Sequence, residues 1–123
     1  MGRNRTFDEA AVVDRAAHQF LATGYEATSV DDLVAATGLH RGSLYQAFGS
    51  KRGLFLAALE RVSRSGAVTE DRVDLLLVAL LELAPVDVAV RDLARQILAA
   101  MPDEEAALTL GSRLLARAGI DHP

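Results

Sequence analysis

The sequence predicts an all-α protein. Half of its 123 residues are apolar, and among them Leu and Ala, two strong helix formers, are the commonest. Apolar residues recur three or four positions apart over most of the chain, as they do on the buried face of a helix. No stretch sustains the alternation of apolar and polar residues that is typical of a strand. These observations together predict about seven helices and no sheet.

The first helix is predicted to begin at a capping box and to end at a glycine. Thr6 and Glu9 have the spacing of that box, in which the threonine oxygen accepts from a first-turn amide and the glutamate reaches back. A stripe of apolar residues with helical spacing follows: Val13, Ala16, Ala17, Phe20 and Leu21. Gly24 then ends the helix, since glycine takes the left-handed backbone conformation without steric cost.

The next three helices are predicted from caps before them and breakers after them. Ser29 is placed to cap the second helix, and Ser50 to cap the fourth. The predicted bounds are Ser29 to Thr37 and Gly38 for the second helix, Arg41 to Phe48 for the third, and Lys51 to about Ser63 for the fourth, with Gly66 beyond it. The candidate core residues of this half are Val13, Phe20, Leu44, Phe48 and Phe55.

Three further helices are predicted in the second half. Thr69 caps a helix from Glu70 to Leu83, Asp87 caps one to about Ala100, and Pro102 stands in the first turn of one that runs to about Ala118. The run from Leu75 to Leu81 is apolar nearly all round, which predicts that it is buried on most faces.

Composition excludes several functions. Without cysteine the chain has no disulfide, thiolate metal site or cysteine nucleophile. There is no glycine-rich phosphate loop and no Ser/His/Asp set in an elbow context, and the three histidines lack metal-like spacing. We therefore expect a protein that is not an enzyme and that needs no cofactor or metal.

Charge and hydropathy indicate the localisation of the chain and the class of its binding partner. The net charge of −4 argues against a nucleic-acid partner, but residues 1–65 carry eight Lys or Arg against seven Asp or Glu, and the acidic excess lies in residues 66–123. No apolar signal core follows the N-terminus, and the most apolar stretch, residues 73–83, is too short to span a bilayer. We expect a cytoplasmic protein with no membrane partner.

Residues 29–48 have the pattern of a helix-turn-helix, two helices joined by a short turn that contains glycine. The small side chain of Ala35 is predicted to let the helices approach, and Leu39 and Leu44 to set their angle from inside. The second of these helices is predicted to present Arg41, Gly42, Ser43, Tyr45 and Gln46 outward near its start. Such residues reach base edges and phosphates when a helix lies in the major groove.

A more specific pattern runs through the same region. Gly42-Ser43-Leu44-Tyr45 is followed at fixed distances by Phe48 and Lys51. Around this run stand Ala16-Ala17, Phe20, Gly24-Tyr25, Thr28-Ser29-Val30, Leu33-Val34-Ala35 and Thr37-Gly38-Leu39. In their order and spacing these residues, from Val13 to Leu54, resemble the DNA-binding domain of the TetR family of bacterial transcriptional repressors. The resemblance covers about the first half of the chain.

The resemblance implies roles for individual residues. Arg41, Gly42 and Ser43 match the start of the recognition helix, while Tyr45, Lys51 and the hydroxyls of Thr28 and Ser29 match phosphate contacts. The full candidate DNA-binding set is Thr28, Ser29, His40, Arg41, Gly42, Ser43, Tyr45, Gln46 and Lys51.

Three further positions bear on the same interface. Arg3 and Arg5 lie in an N-terminal segment, which touches DNA as an arm in some relatives; a frayed terminus is the alternative reading. His40 stands where a small hydroxyl cap is common, which leaves DNA contact and solvent exposure both open. Arg52 replaces a commonly acidic residue and is expected to add positive charge near the phosphates.

The last helix carries two apolar stripes, which predicts that one packs inward and the other meets a partner. The first stripe is Ala107, Leu110, Gly111, Leu114 and Ala118, and the second is Leu108 and Leu115. A two-fold homodimer is the default symmetric solution, and Gly111 would permit close helix approach. The candidate dimerisation residues are Leu108, Gly111, Leu114, Leu115 and Ala118.

The predicted organisation is a DNA-binding domain over residues 1–50, a connecting helix over 51–66 and a short dimerisation or regulatory domain over 67–123. The predicted function is a sequence-specific transcriptional regulator that binds a double-stranded DNA operator as a homodimer and represses. The resemblance also implies a small-molecule effector, although the region after residue 66 is shorter than that family's usual ligand domain. The alternative is a helical protein–protein interaction module that keeps the helix-turn-helix as a scaffold.

Overall fold

One continuous hydrophobic cluster joins all the helices except the last in the computed structural model, which describes residues 7–65 and 69–120. The helices are α1 (Glu9–Thr23), α2 (Val30–Thr37), α3 (Arg41–Phe48), α4 (Lys51–Ser65), α5 (Glu70–Val78), α6 (Val88–Ala99) and α7 (Asp103–Arg117). Within these described ranges there is no strand, which confirms the predicted all-α class and the seven helices. None of the described helices is long and apolar enough to cross a membrane.

Helix α1 begins later than predicted because a different residue caps it. The Asp8 carboxylate accepts from the amides of Ala10 at 3.0 Å and Ala11 at 3.4 Å. Glu9 is then the first helical residue and not the third, where a capping box places its acidic side chain. Thr6, with Arg3 and Arg5, lies outside the described residues.

Helices α2 and α3 have the predicted bounds. Ser29 Oγ accepts from the Asp32 amide at 2.9 Å, and the Asp32 carboxylate accepts from the Ser29 amide at 2.9 Å, so the capping box lies here. The left-handed backbone of Gly38 ends α2, as predicted. Helix α4 extends two residues beyond the predicted Ser63, and Gly66 falls outside the described residues.

The apolar run after Thr69 forms two kinds of helix instead of one. It is α-helical to Val78 and continues as a π-helical turn, Ala79–Leu83, in which the Ala84 amide donates to the Ala79 carbonyl at 2.8 Å. The predicted burial holds for residues 73–79, whereas Leu81 is 64% exposed. The wider turn rotates the residues after Val78 relative to a regular helix.

Helices α6 and α7 begin at the predicted places to within one residue. The Asp87 carboxylate caps α6 by accepting from the Val90 amide at 3.3 Å. Pro102 is the residue before α7 and not within its first turn. An ion pair in which Arg113 Nε and Nη2 donate to the buried Asp74 carboxylate at 2.9 and 2.8 Å holds α7 against α5.

Three aromatic rings form the centre of the core. Phe20 of α1 and Phe55 of α4 are fully buried and meet edge to face, with their centroids 5.1 Å apart. The half-buried Tyr25 stacks on Phe20 at 5.8 Å and meets Phe55 edge to face at 5.3 Å. The same cluster contains Leu75, Val78, Ala79, Leu83 and Val90, so it extends across the predicted boundary at residue 66.

Candidate nucleic-acid interface

Helices α2 and α3 form a helix-turn-helix whose inner side is apolar. Leu33 and Leu44 are buried, and Leu39 in the turn is half-buried against the core. Thr37 is also buried; its hydroxyl donates to the Leu33 carbonyl at 2.7 Å and accepts from the Leu39 amide at 3.3 Å, which fixes the turn. Ala35 is exposed, so its predicted role in helix packing was wrong.

The outer side of α3 presents most of the predicted reading residues to solvent. His40, Arg41, Gly42 and Gln46 are exposed, Tyr45 is 41% exposed and Ser43 is half-buried. A side chain at Gly42 would meet no atom within 4 Å, so the backbone is open on that side. These five positions of α3, with His40 before it, make a continuous polar surface that we call the reading face.

The start of α3 has no side-chain cap. His40 occupies the N-cap position and makes no capping hydrogen bond with its side chain, as its replacement of a small hydroxyl residue predicted. Its imidazole is exposed. Unpartnered first-turn amides at a helix N-terminus carry partial positive charge and favour an anion such as a phosphate.

Arg41 on the reading face is paired with α2. Its guanidinium donates to the Asp31 carboxylate, with the Arg side chain 51% exposed and the Asp side chain 82% exposed. Because such solvent-exposed pairs contribute little to stability, the guanidinium can exchange this partner for an external acceptor at small cost.

Thr28 lies away from this surface. Its side chain is 0% exposed, and its hydroxyl donates to the Gly24 carbonyl and contacts the Thr23 hydroxyl, each at 2.5 Å. The side chain presents no surface to a phosphate in this structure, so the contact that the resemblance implies stays a prediction. Ser29 remains exposed at the start of α2.

Lys51 is turned inward. Its Nζ donates to the carbonyls of Tyr25 and Thr28, both at 3.0 Å, and lies 4.2 Å from the centroid of the Tyr25 ring. The ammonium thus holds the segment between α1 and α2, a role that the sequence did not reveal. An ammonium has three N–H donors, and the two carbonyls occupy two of them. The phosphate contact that the resemblance implies for Lys51 would use the third.

Arg52 does not supply a free positive charge. Its Nε and Nη2 donate to the Asp87 carboxylate at 2.6 and 3.0 Å, which joins the start of α4 to the cap of α6. The guanidinium hydrogen bond lowers the pKa of Asp87 to about 2, and the Val90 amide acts in the same direction. The expected addition of charge near the phosphates was therefore wrong, because Asp87 neutralises it.

Most of the predicted dimerisation residues are exposed on α7. Leu108 is 71% and Leu114 45% exposed, Gly111 and Ala118 are exposed, and Leu115 is half-buried. No residue of α7 is fully buried. Sequence patterning missed that Arg113 and Arg117 face inward, where both pair with Asp74.

Comparison with known proteins agrees with this geometry. Residues 12–58, which include the whole helix-turn-helix, match the model of the bacterial regulatory proteins of the tetR family. The chain is 43% identical to an uncharacterized HTH-type transcriptional regulator, YezE, of Bacillus subtilis (strain 168), over 57% of this chain and 42% of that protein. It is 50% identical to the HTH-type transcriptional repressor ComR of Escherichia coli (strain K12), over 49% of this chain and 29% of that protein.

The family-model match lies in the first half of the chain, and the chain spans less than half the length of either relative. The residues that match the family model build most of α1, all of α2, the turn and α3, and the first half of α4. On this evidence residues 12–58 are similar to the DNA-binding region of the tetR family of bacterial regulatory proteins.

Proposed function

We propose that this protein is a sequence-specific DNA-binding regulator that inserts α3 into the major groove. The observation that carries the proposal is the reading face, which is polar, exposed and fixed from behind by Leu33 and Leu44. Arg41 is the candidate for base-edge recognition, because a guanidinium pairs with guanine through two donors. Tyr45 and the first-turn amides of α2 and α3 are the candidates for phosphate contacts.

The regulator is proposed to be a repressor that acts as a homodimer. A relative that matches 49% of this chain is named a transcriptional repressor, which supports this direction of regulation. The exposed apolar side chains of α7 support dimerisation, because burying them against a second copy removes apolar surface from water. Two reading faces would then contact half-sites about one helical turn apart, roughly 34 Å, or a multiple of that distance.

The proposal does not include a small-molecule effector. A groove of about 280 Å³ lies between α1, α4 and α5. Polar side chains at its mouth already contact one another, since Arg61 Nε donates to Asp14 at 3.2 Å and His18 Nε2 lies 3.6 Å from an Asp71 carboxylate oxygen. The groove therefore does not point to any particular ligand.

DNA binding is tested with duplexes selected by the protein from a random pool, followed by fluorescence anisotropy at two salt concentrations. Arg41→Ala is expected to weaken binding to the selected duplex by about ten- to a hundredfold and to reduce its preference over a scrambled duplex, since it removes a base contact. Tyr45→Phe is expected to weaken binding less than Arg41→Ala does. The loss should be similar for the selected and the scrambled duplex, because a phosphate contact carries no sequence information.

The matched control is Arg95→Ala on α6. Arg95 is 69% exposed and pairs with Asp92 at 3.1 Å, so this variant loses the same charge and a comparable ion pair away from the reading face. It should bind the selected duplex almost as well as the unsubstituted chain. If no duplex is enriched and none binds at low salt, the proposal is wrong and the protein-interaction module becomes the better hypothesis.

The dimer is tested with Gly111→Ala, which has two effects of opposite sign. A Cβ at Gly111 meets nothing within 4 Å in one copy, so alanine should stabilise the isolated helix by about 0.5–1 kcal/mol. At a close crossing of two α7 helices the same methyl group should separate them and weaken dimerisation. We expect sedimentation equilibrium to give a dimer dissociation constant raised by about tenfold or more.

Two further variants make the dimer result decisive. Leu108→Glu places a charge on the same exposed face and should also favour the monomer, whereas Ala116→Ser, at an exposed position on another side of α7, should leave association unchanged. Dimers that persist in both Gly111→Ala and Leu108→Glu would show that α7 is not the interface.

A further inference from the structure

A carboxylate from the second half of the chain lies against the segment that precedes α2. Glu82 Oε2 accepts from the Tyr25 amide at 3.0 Å, and its Oε1 accepts from the Glu26 amide at 2.9 Å. Two consecutive backbone N–H groups that converge on one anion form a nest. This nest is occupied by a side chain that lies 56 and 57 residues further along the chain.

Gly24 makes room for this carboxylate. A Cβ at Gly24 would lie 2.8 Å from Glu82 Oε2, which is closer than real Cβ contacts, and the residue has a positive φ of 82°. Any other residue would therefore displace Glu82 as well as strain the backbone. The glycine that ends α1 is thus also one wall of the nest.

The π-helical turn brings Glu82 to the nest. Glu82 is the fourth residue of Ala79–Leu83, where the i→i+5 hydrogen bond inserts one extra residue into the turn. That insertion shifts the facing of Glu82 by about one residue's rotation relative to a regular α-helix. Single π-helical turns are frequent at functional positions, which is consistent with a specific task for this side chain.

The nest and Lys51 hold the same four residues from two sides. Glu82 binds the amides at the start of the segment 25–28, and Lys51 Nζ binds carbonyls at both of its ends. Ser29, the N-cap of α2, follows directly. The position of the α2 N-terminus relative to α3 therefore depends on both charges.

We propose that Glu82 is a positioning residue for DNA binding: its carboxylate fixes the segment 25–28 so that the N-terminus of α2 stands at a phosphate while α3 reads the bases. The inference rests on the proposed DNA-binding function. In it, the π-helical turn contributes to DNA binding by directing Glu82 to the nest. The proposal predicts that removing the Glu82 carboxylate weakens DNA binding. Simple electrostatics predicts the opposite, since removal of a negative charge near DNA strengthens binding.

The test compares Glu82→Gln with Glu26→Gln in the full chain. Both variants remove one negative charge from the same neighbourhood, but only the first removes an acceptor from the nest. Within residues 7–65 and 69–120 the Glu26 carboxylate itself makes no hydrogen bond, and the residue is exposed, so it is a matched control. Affinity is measured by anisotropy for the duplex that the unsubstituted chain selects and for a scrambled duplex.

We expect Glu82→Gln to bind the selected duplex about tenfold more weakly or worse and the scrambled duplex equally or more tightly. Glu26→Gln should bind both slightly more tightly. Backbone amide exchange, followed by NMR, should be faster at Tyr25 and Glu26 in Glu82→Gln alone. These readouts separate positioning from stability, since a smaller folded fraction lowers both affinities in proportion.

Three results would overturn the proposal. Equal affinities of the two variants for the selected duplex would remove the role of Glu82 and leave the DNA-binding function standing. A proportional loss of both affinities in Glu82→Gln would indicate a contribution to folding alone. Absence of DNA binding by the unsubstituted chain would overturn this inference together with the function on which it rests.

Discussion

Gly53→Ala is expected to destabilise the fold and to displace α3, although alanine is the better helix former. A Cβ at Gly53 would lie 1.9 Å from the Phe48 carbonyl oxygen and 3.0 Å from its carbon. Both are backbone atoms at the end of α3, so no side-chain rotation relieves the overlap. The start of α4 and the end of α3 must then move apart by more than 1 Å, which costs about 1–3 kcal/mol or more.

The effect of Gly53→Ala is measured by thermal unfolding, where we expect the midpoint to fall by about 5 °C or more. Gly42→Ala is the matched control, because a Cβ there meets nothing within 4 Å and alanine should leave the midpoint unchanged or raise it. Binding to the selected duplex should also fall in Gly53→Ala, since α3 carries the reading face. A midpoint equal to that of the unsubstituted chain would mean that α3 and α4 tolerate separation.

Phe55→Ala is expected to cost about 3–5 kcal/mol of unfolding free energy, the usual range for removing a buried phenyl ring. Phe55 is 0% exposed and meets two other rings edge to face, so its removal leaves a cavity at the centre of the core. The unfolding free energy of a small domain is only about 5–15 kcal/mol in total, so the variant should lose a large part of its stability.

Urea titration followed by circular dichroism measures this loss. Phe55→Leu is the control, because it keeps most of the apolar volume and should lose clearly less stability than alanine. Tyr25 rests on the same ring, so the segment that Glu82 and Lys51 hold should also loosen in the alanine variant. Equal losses for the two variants would mean that the site collapses around any replacement.

The helices could be predicted because their signals are local. Ser29 and Gly38 bound α2, and the apolar positions Leu33 and Leu44 fix which sides of α2 and α3 are buried. A cap, a breaker and a helical period lie within a few residues of one another, and the structure agrees to within one or two residues at nearly every end. The displaced start of α1 follows the same rule, since Asp8 is as good a cap as Thr6.

The site could be predicted only in part, because side-chain direction depends on distant partners. Lys51 and Arg52 are adjacent cations in the sequence, yet one binds carbonyls before α2 and the other binds Asp87, 35 residues away. Thr28 is polar and follows a loop, and only its fit against Gly24 reveals that it is buried. The π-helical turn leaves no local signal in the sequence, because it continues a run that is apolar nearly all round.

The hydrophobic cluster that crosses residue 66 has a consequence for how the DNA-binding region can be reused in another protein. Leu75, Val78 and Leu83 share one buried cluster with the apolar side of α1 and α4, and Glu82 and Asp87 form hydrogen bonds across the same boundary. A graft of residues 1–66 onto a foreign partner would expose that apolar side and leave the segment before α2 unheld. The transplantable unit, for a chimera or a biosensor, therefore extends at least through Val90.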